Sequence, residues 1–142
     1  MSSDIKIASF MCWKWGYGAG DMAGTIRAQY PTTIRAILVP CAGRVGSELI
    51  MRAIGQGADG ILVVGWHPGE CDYEIGNKLA YREVEYINQI LNVIGLSDKR
   101  VKMEYCSSAE GQKFQQVAIN YDKLIRNLGK NPLNKKSSDK NE

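Results

Sequence analysis

The sequence predicts an α/β fold: a single open parallel sheet of about four strands with helices on both faces. Three observations lead there. Residues 61–64, ILVV, form a continuous apolar run without alternation, as expected of a strand covered on both faces. Strand-like runs and helical periodicities then alternate along the chain as β-α-β-α-β-α-β-α, which implies right-handed crossovers between parallel strands. Finally, 142 residues with 44% hydrophobic content is the size and composition of one ordinary globular domain. Flavodoxin-like and Rossmann-like folds have this arrangement.

Each element has its own signal. Residues 5–11 read as the first strand and run into Cys12. The glycine-rich segment CWKWGYGAGDMAGTIRAQY then turns helical, with Asp21 at or near the cap, Ala23, Ile26 and Ala28 on the less polar side, and Pro31 ending the helix at about residue 30. Residues 35–40 form the second strand, followed by the turn Cys41-Ala42-Gly43-Arg44. A helix over residues 47–54 carries Leu49, Ile50, Ala53 and Ile54 on one face and stops at Gly55 and Gly57. The third strand starts at Gly60 and empties into the loop WHPGEC, which holds Trp66, His67 and Cys71. Ala80, Val84, Ile87, Leu91 and Ile94 recur at helical spacing, and Gly95 suits the C′ position. Residues 101–106 read as an edge strand, with Met103 and Tyr105 alternating against charge. Ser107-Ser108-Ala109-Glu110 has the form of a capping box, and Phe114, Val117, Tyr121, Leu124 and Leu128 give the last helix its stripe. The domain is expected over residues 1–129, with residues 130–142 a disordered polar tail.

Charge and composition exclude several classes. A net charge of +3, part of it in the tail, gives no electrostatic reason to expect nucleic acid. No run approaches the roughly 20 apolar residues that span a bilayer, and no leader is visible, so no membrane insertion and a cytoplasmic location are expected. In that setting the four cysteines read as thiols or metal ligands rather than disulfides.

Taken singly, Cys12, Cys41, Cys71 and Cys106 are small buried hydrophobes. As a set they each fall at or just past the carboxyl end of a strand, the rim where open parallel sheets bind ligands. Converging thiolates suit iron-sulfur ligation or, less well, zinc. With the first strand central and the second and third beside it, Cys12, Cys41 and Cys71 can meet, whereas Cys106 lies a strand further out and reads as structural. His67, the one histidine, reads first as a hydrogen-bonding turn residue. Glycines 16, 18 and 20 lack the last glycine of a dinucleotide fingerprint, which leaves nucleotide binding remote. Trp13, Trp15 and Trp66 sit at the same loop positions, as rim packing or as interface anchors. No nucleophile, base and orienter stand together, so catalysis by the chain alone is not indicated.

The pieces FMCWKWGYGAGDMAG, AQYP, VPCAGRV, GADGILVVGWHPGECDYEIGN and SSAEGQKF together resemble the delta subunit of methyl-viologen-reducing hydrogenase. The resemblance runs from Lys6 to about Leu128, with CAGR and GxHPGEC in order. It implies a [2Fe-2S] cluster and electron transfer between a hydrogenase- or formate-dehydrogenase-type subunit and a heterodisulfide reductase-like flavin/iron-sulfur subunit. Cys12, Cys41 and Cys71 match family cysteines. Two other family cysteine positions hold Trp15 and Trp66, and indole has no lone pair for iron. The resemblance therefore implies either a cluster with a substitute fourth ligand (His67, Cys106 or a partner's group) or a cluster-free structural adaptor. Some family members carry selenocysteine at the position of Trp66, which makes codon 66 decisive: UGG fixes tryptophan.

Overall fold

The computed structural model describes residues 4–13, 31–71, 73–107 and 110–134; the helix expected over residues 21–30, Trp15 and the end of the tail lie outside them. Four parallel strands, β1 (Ile7–Cys12), β2 (Ile34–Val39), β3 (Gly60–Gly65) and β4 (Val101–Tyr105), form one sheet in the order β2-β1-β3-β4. β1 lies between β2 and β3, the order under which Cys12, Cys41 and Cys71 can meet. Cys12 pairs with Val39 and Met11 with Val64, so the ends of β1, β2 and β3 come level at one rim.

Three α-helices among the described residues cover the sheet: α1 (Ser47–Gly55), α2 (Gly76–Val93) and α3 (Gly111–Leu128). Pleating sends alternate residues to opposite faces. Phe10, Ile61, Val63 and Val101 pack with Ile50 and Ile54 of α1 and with Val84, Ile87 and Leu91 of α2. Ile7, Met11, Leu62 and Val64 pack with Phe114, Ala118, Tyr121 and Ile125 of α3. All six residues of β3 are buried, which is why its sequence shows no polar alternation. Each such aliphatic side chain contributes about 1.5–3 kcal/mol on burial, and Leu62→Ala would remove roughly 2–5 kcal/mol. The edge strands differ: Arg35, Ile37 and Leu38 of β2 are exposed, and β4 is buried only at Val101.

The helix starts are where sequence and structure part. α1 has Gly46 at its cap, and the carboxylate of Glu83 from α2 accepts the Ser47 amide instead, at 2.9 Å. α2 begins at Gly76, before the apolar periodicity shows, and buries Gly76 and Asn77 in its first turn. Of the expected capping box the reach-back half forms: Glu110 accepts the Ser107 amide at 3.0 Å, while α3 starts at Gly111.

At the opposite end of the sheet, Asn131 is buried. Its amide donates to Asp59 Oδ1 at 2.6 Å, and its side chain donates to the carbonyls of Ile54 and Ala58, each at 3.0 Å. Arg100 donates to the carbonyls of Asp59 at 2.8 Å and Gly129 at 3.0 Å. The expected boundary after residue 129 thus falls inside a hydrogen-bonded network. Among the described residues, no helix is long and apolar enough to cross a membrane.

Candidate functional site

Three strand ends and one helix start build the rim. β1 delivers Cys12, whose thiol lies 3.8 Å from the carbonyl oxygen of Pro40. β2 ends at Val39, and Cys41 caps a 3-10 turn, Ala42–Arg44, its sulfur accepting the Gly43 amide at 3.4 Å. After β3 the chain makes two successive turns, closed by Glu70 N to His67 O at 3.0 Å and Glu74 N to Cys71 O at 2.9 Å, before α2 starts. Gly69 stands at φ 90° in the first of these, where other residues are strained.

These turns set Cys71 Sγ 3.9 Å from Cys41 Sγ. Burial by itself would raise the Cys71 thiol, but the backbone amides of Tyr73 and Asn77, the hydrogen bond with Cys41 and the Gly76 amide together outweigh it and hold its pKa below the ordinary value. Two of those amides belong to the first turn of an 18-residue helix, whose N-terminal end favours negative charge. The opposite holds for Cys41: burial raises its pKa, and proximity to Cys71 and Cys12 adds to that, with the Gly43 amide opposing.

Two glycines make the approach possible. A Cβ on Gly76 would collide with Cys41 Sγ and stand 3.2 Å from Cys71 Sγ; a Cβ on Gly43 would stand 2.9 Å from the Cα of Gly76. Asn77 fixes the loop, its amide donating to the carbonyls of Trp66 and His67, each at 2.9 Å.

Cys12, Cys41 and Cys71 line one cavity of about 160 Å³, together with Trp13, Trp66, Pro40 and Tyr73. Three of the predicted site residues and two of the three tryptophans therefore meet in one place. His67 and Cys106 do not join them. The imidazole Nε2 of His67 is paired with Glu110 Oε1, across the loop that follows β4. That hydrogen bond, with the Ser107 amide, holds the Glu110 carboxyl down at about 2. Cys106 is fully buried among Phe114 and Val64 on the α3 face of the sheet, and burial pushes its thiol up to about 11. Among the described residues, no group of three His, Cys, Asp or Glu side chains could hold a single ion.

Sequence reasoning did not find Gly43, Gly76 or Asn77 as site residues. Gly76 and Asn77 could have been suspected: a Gly-Asn pair at a helix start, five residues past a cysteine, supplies backbone amides and little bulk.

Comparison with known proteins identifies a family and several relatives. The sequence model of the family described as methyl-viologen-reducing hydrogenase, delta subunit, matches residues 7–129. The chain is 41% identical over 130 residues to the D-type iron-sulfur subunit of the vhu F420-non-reducing hydrogenase of Methanocaldococcus jannaschii, covering 92% of this chain and 97% of that one. It is 43% identical over 124 residues to the D-type iron-sulfur subunit of the F420-non-reducing hydrogenase of Archaeoglobus profundus, covering 87% and 90%. It is also 34% identical over 123 residues to the A-type subunit of the ferredoxin:CoB-CoM heterodisulfide reductase of Methanosarcina mazei, covering 87% of this chain and 16% of that much longer one.

Proposed function

We propose, since the chain belongs to the methyl-viologen-reducing hydrogenase delta-subunit family, that it is an electron-transfer subunit of a cytoplasmic oxidoreductase complex joining a hydrogenase- or formate-dehydrogenase-type subunit to a heterodisulfide reductase-like flavin/iron-sulfur subunit. The observation that carries this reading is the convergence of Cys12, Cys41 and Cys71, from three strand ends, on one cavity. The relatives named iron-sulfur subunits support it. So does the heterodisulfide reductase relative, in which a segment like this chain is covalently part of the larger polypeptide.

The donor set fits a [2Fe-2S] cluster in part. Cys12, Cys41 and Cys71 are soft thiol donors, and Gly76 leaves open the space beside two of them that a Cβ would fill. A bound cluster would relay single electrons between the redox groups of the partner subunits. The chain's own part is to hold the ligands: the helix start presents amides to Cys71 and the 3-10 turn presents one to Cys41, and donors to ligand sulfur raise a cluster's potential.

A second reading has its own observation. Trp66 lines the cavity at a position where the family resemblance expects a cysteine, which favours a cluster-free adaptor that keeps only the docking surfaces. Iron and acid-labile sulfide, measured per chain on the anaerobically purified complex, separate the two. About two of each supports the electron carrier; neither in this chain supports the adaptor. Cys41→Ser should abolish iron and electron transfer in the first case and leave assembly and activity intact in the second.

A further inference from the structure

A second cavity, of about 340 Å³, opens beside the thiol cavity and shares Cys41 with it. Its lining divides by exposure. Cys41 and Gly76 are buried, whereas Arg44, Tyr73, Ile75 and Leu79 are exposed. The result is a recess with a cysteine at its base and an apolar margin carrying one cation.

That margin continues along α2. Leu79, Arg82, Tyr86 and Val93 follow one another at intervals of three, four and seven, hence on one side of the helix, and all four are exposed. The side of α2 that packs on the sheet is a different one, supplied by Ala80, Val84, Ile87 and Leu91. Exposed apolar residues scattered singly need no explanation, but a stripe of them leading out of a cavity marks a contact surface. Tyrosine and arginine among apolar neighbours is also the composition of interface hot spots.

Charge decides what covers it. Arg44 is the one charged residue in the described lining; Glu74, between two lining residues, is not part of it. Two carboxylates of the flanking helices are engaged elsewhere: Glu48 pairs with Arg52 at 3.2 Å, and Glu83 accepts the Ser47 amide at 2.9 Å. A second copy in a two-fold contact would present this same patch. Arg44 and Arg82 would then face their own copies, which like-charge repulsion disfavours. The occupant that fits has a bulky apolar side chain for the recess and a carboxylate for Arg44.

We propose, resting on the electron-transfer reading, that the recess and the stripe on α2 are the docking surface for the redox subunit that exchanges electrons with this chain. The partner engages through a segment whose apolar side chain enters the recess and whose carboxylate pairs with Arg44. A segment seated there lies against Cys41, which also lines the thiol cavity, so docking and electron exchange use the same place.

The test uses the assembled complex, with Leu79 replaced by p-benzoylphenylalanine and irradiated in place. The expected product joins this chain to another redox subunit through a peptide that carries an Asp or Glu beside the attachment point. A product joining two copies of this chain, or no product, overturns the assignment. The second measurement is the Kd of the full chain for the remaining subunits. Leu79→Asp and Arg44→Glu should each raise it by about tenfold or more, with Tm and iron per chain at wild-type values, and Arg44→Lys should restore most of the affinity. Wild-type iron and electron transfer with a Kd that ignores both variants removes the docking surface and leaves the electron carrier standing. A chain without iron that still gives the crosslink and the two Kd shifts removes the electron carrier and leaves the docking surface.

Discussion

Gly76→Ala sets two effects of opposite sign against each other. Gly76 opens α2 and is not among the residues with positive φ, so its backbone suits any L-residue. Helix propensity alone then predicts that alanine stabilises by at most about 0.5–1 kcal/mol, which for a domain of this size is a Tm rise of at most roughly 2–4 °C. The new Cβ, however, collides with Cys41 Sγ and comes to 3.2 Å from Cys71 Sγ. Cys41 can yield only by leaving its rotamer, at about 0.5–1.5 kcal/mol, and giving up the Gly43 amide. If it does not yield, overpacking costs about 1–3 kcal/mol. The first route brings net stability near zero change; the second lowers it. In the first route the 3.9 Å pairing with Cys71 is lost, and in the second it persists only in a distorted cradle. The assays are thermal unfolding and iron per chain, with the expectation of an unchanged or lowered Tm and iron reduced to a small fraction of wild type. A variant with the full propensity gain and wild-type iron would refute the reasoning, because it would mean that nothing about the sulfur pair depends on the missing Cβ.

Three further outcomes are expected. The Glu110 carboxyl stands at about 2 rather than 4.5, so its contribution to stability is present above about 4.5 and lost as pH falls from there through about 2. Glu110→Gln should flatten the acid limb of Tm against pH in that window, and superimposable wild-type and variant limbs would count against the His67 pairing. Cys106→Ser places a hydroxyl in an apolar core and should destabilise by about 1–3 kcal/mol, with iron content unchanged; denaturant unfolding and iron analysis check both halves. Ending the chain after residue 129 removes the three Asn131 hydrogen bonds and should lower stability by about 2–3 kcal/mol, whereas ending it after 134 should not; equal midpoints for the two truncations would contradict the network.

The strands were legible as short apolar runs or, at the β4 edge, as apolar residues alternating with charge. β3 announced itself by an apolar run that both faces of the sheet demand, and the length of the crossovers left little choice about parallel pairing. The meeting of Cys12, Cys41 and Cys71 followed from strand order and the roughly 5 Å scale of strand spacing. Side-chain direction was not legible. Nothing in WHPGEC indicates that the imidazole turns to Glu110, forty-three positions on, because that depends on how the loop after β4 lies against the end of β3. Asn131 reads as one polar residue in a polar tail; only the folded chain brings Asp59 and the end of α1 beneath it. Gly76 was legible as a glycine and not as a cradle, since the sulfur it accommodates arrives from position 41.

That last residue also weighs on the choice between electron carrier and adaptor. Gly43 and Gly76 are both small, for different reasons. A Cβ on Gly43 would meet the Cα of Gly76 at 2.9 Å, and backbone cannot swing aside, so packing of the 3-10 turn on α2 requires glycine there whether or not a metal is bound. A Cβ on Gly76 meets chiefly two cysteine sulfurs, one of which could rotate away if it had no fixed task. Glycine forgoes about 0.5–1 kcal/mol relative to alanine in a helix interior, and less at a first position such as this one. In an adaptor nothing offsets that loss, because Cys41 would be free to turn and alanine would fit. In an electron carrier the two sulfurs must stay at chelating distance, and only the absence of a Cβ at position 76 permits it. Trp66 does not disturb this, since its carbonyl is held by Asn77 independently of its ring. A tryptophan at position 66 is therefore compatible with the 3.9 Å spacing of Cys41 and Cys71, which is an argument for the proposed electron carrier over the adaptor.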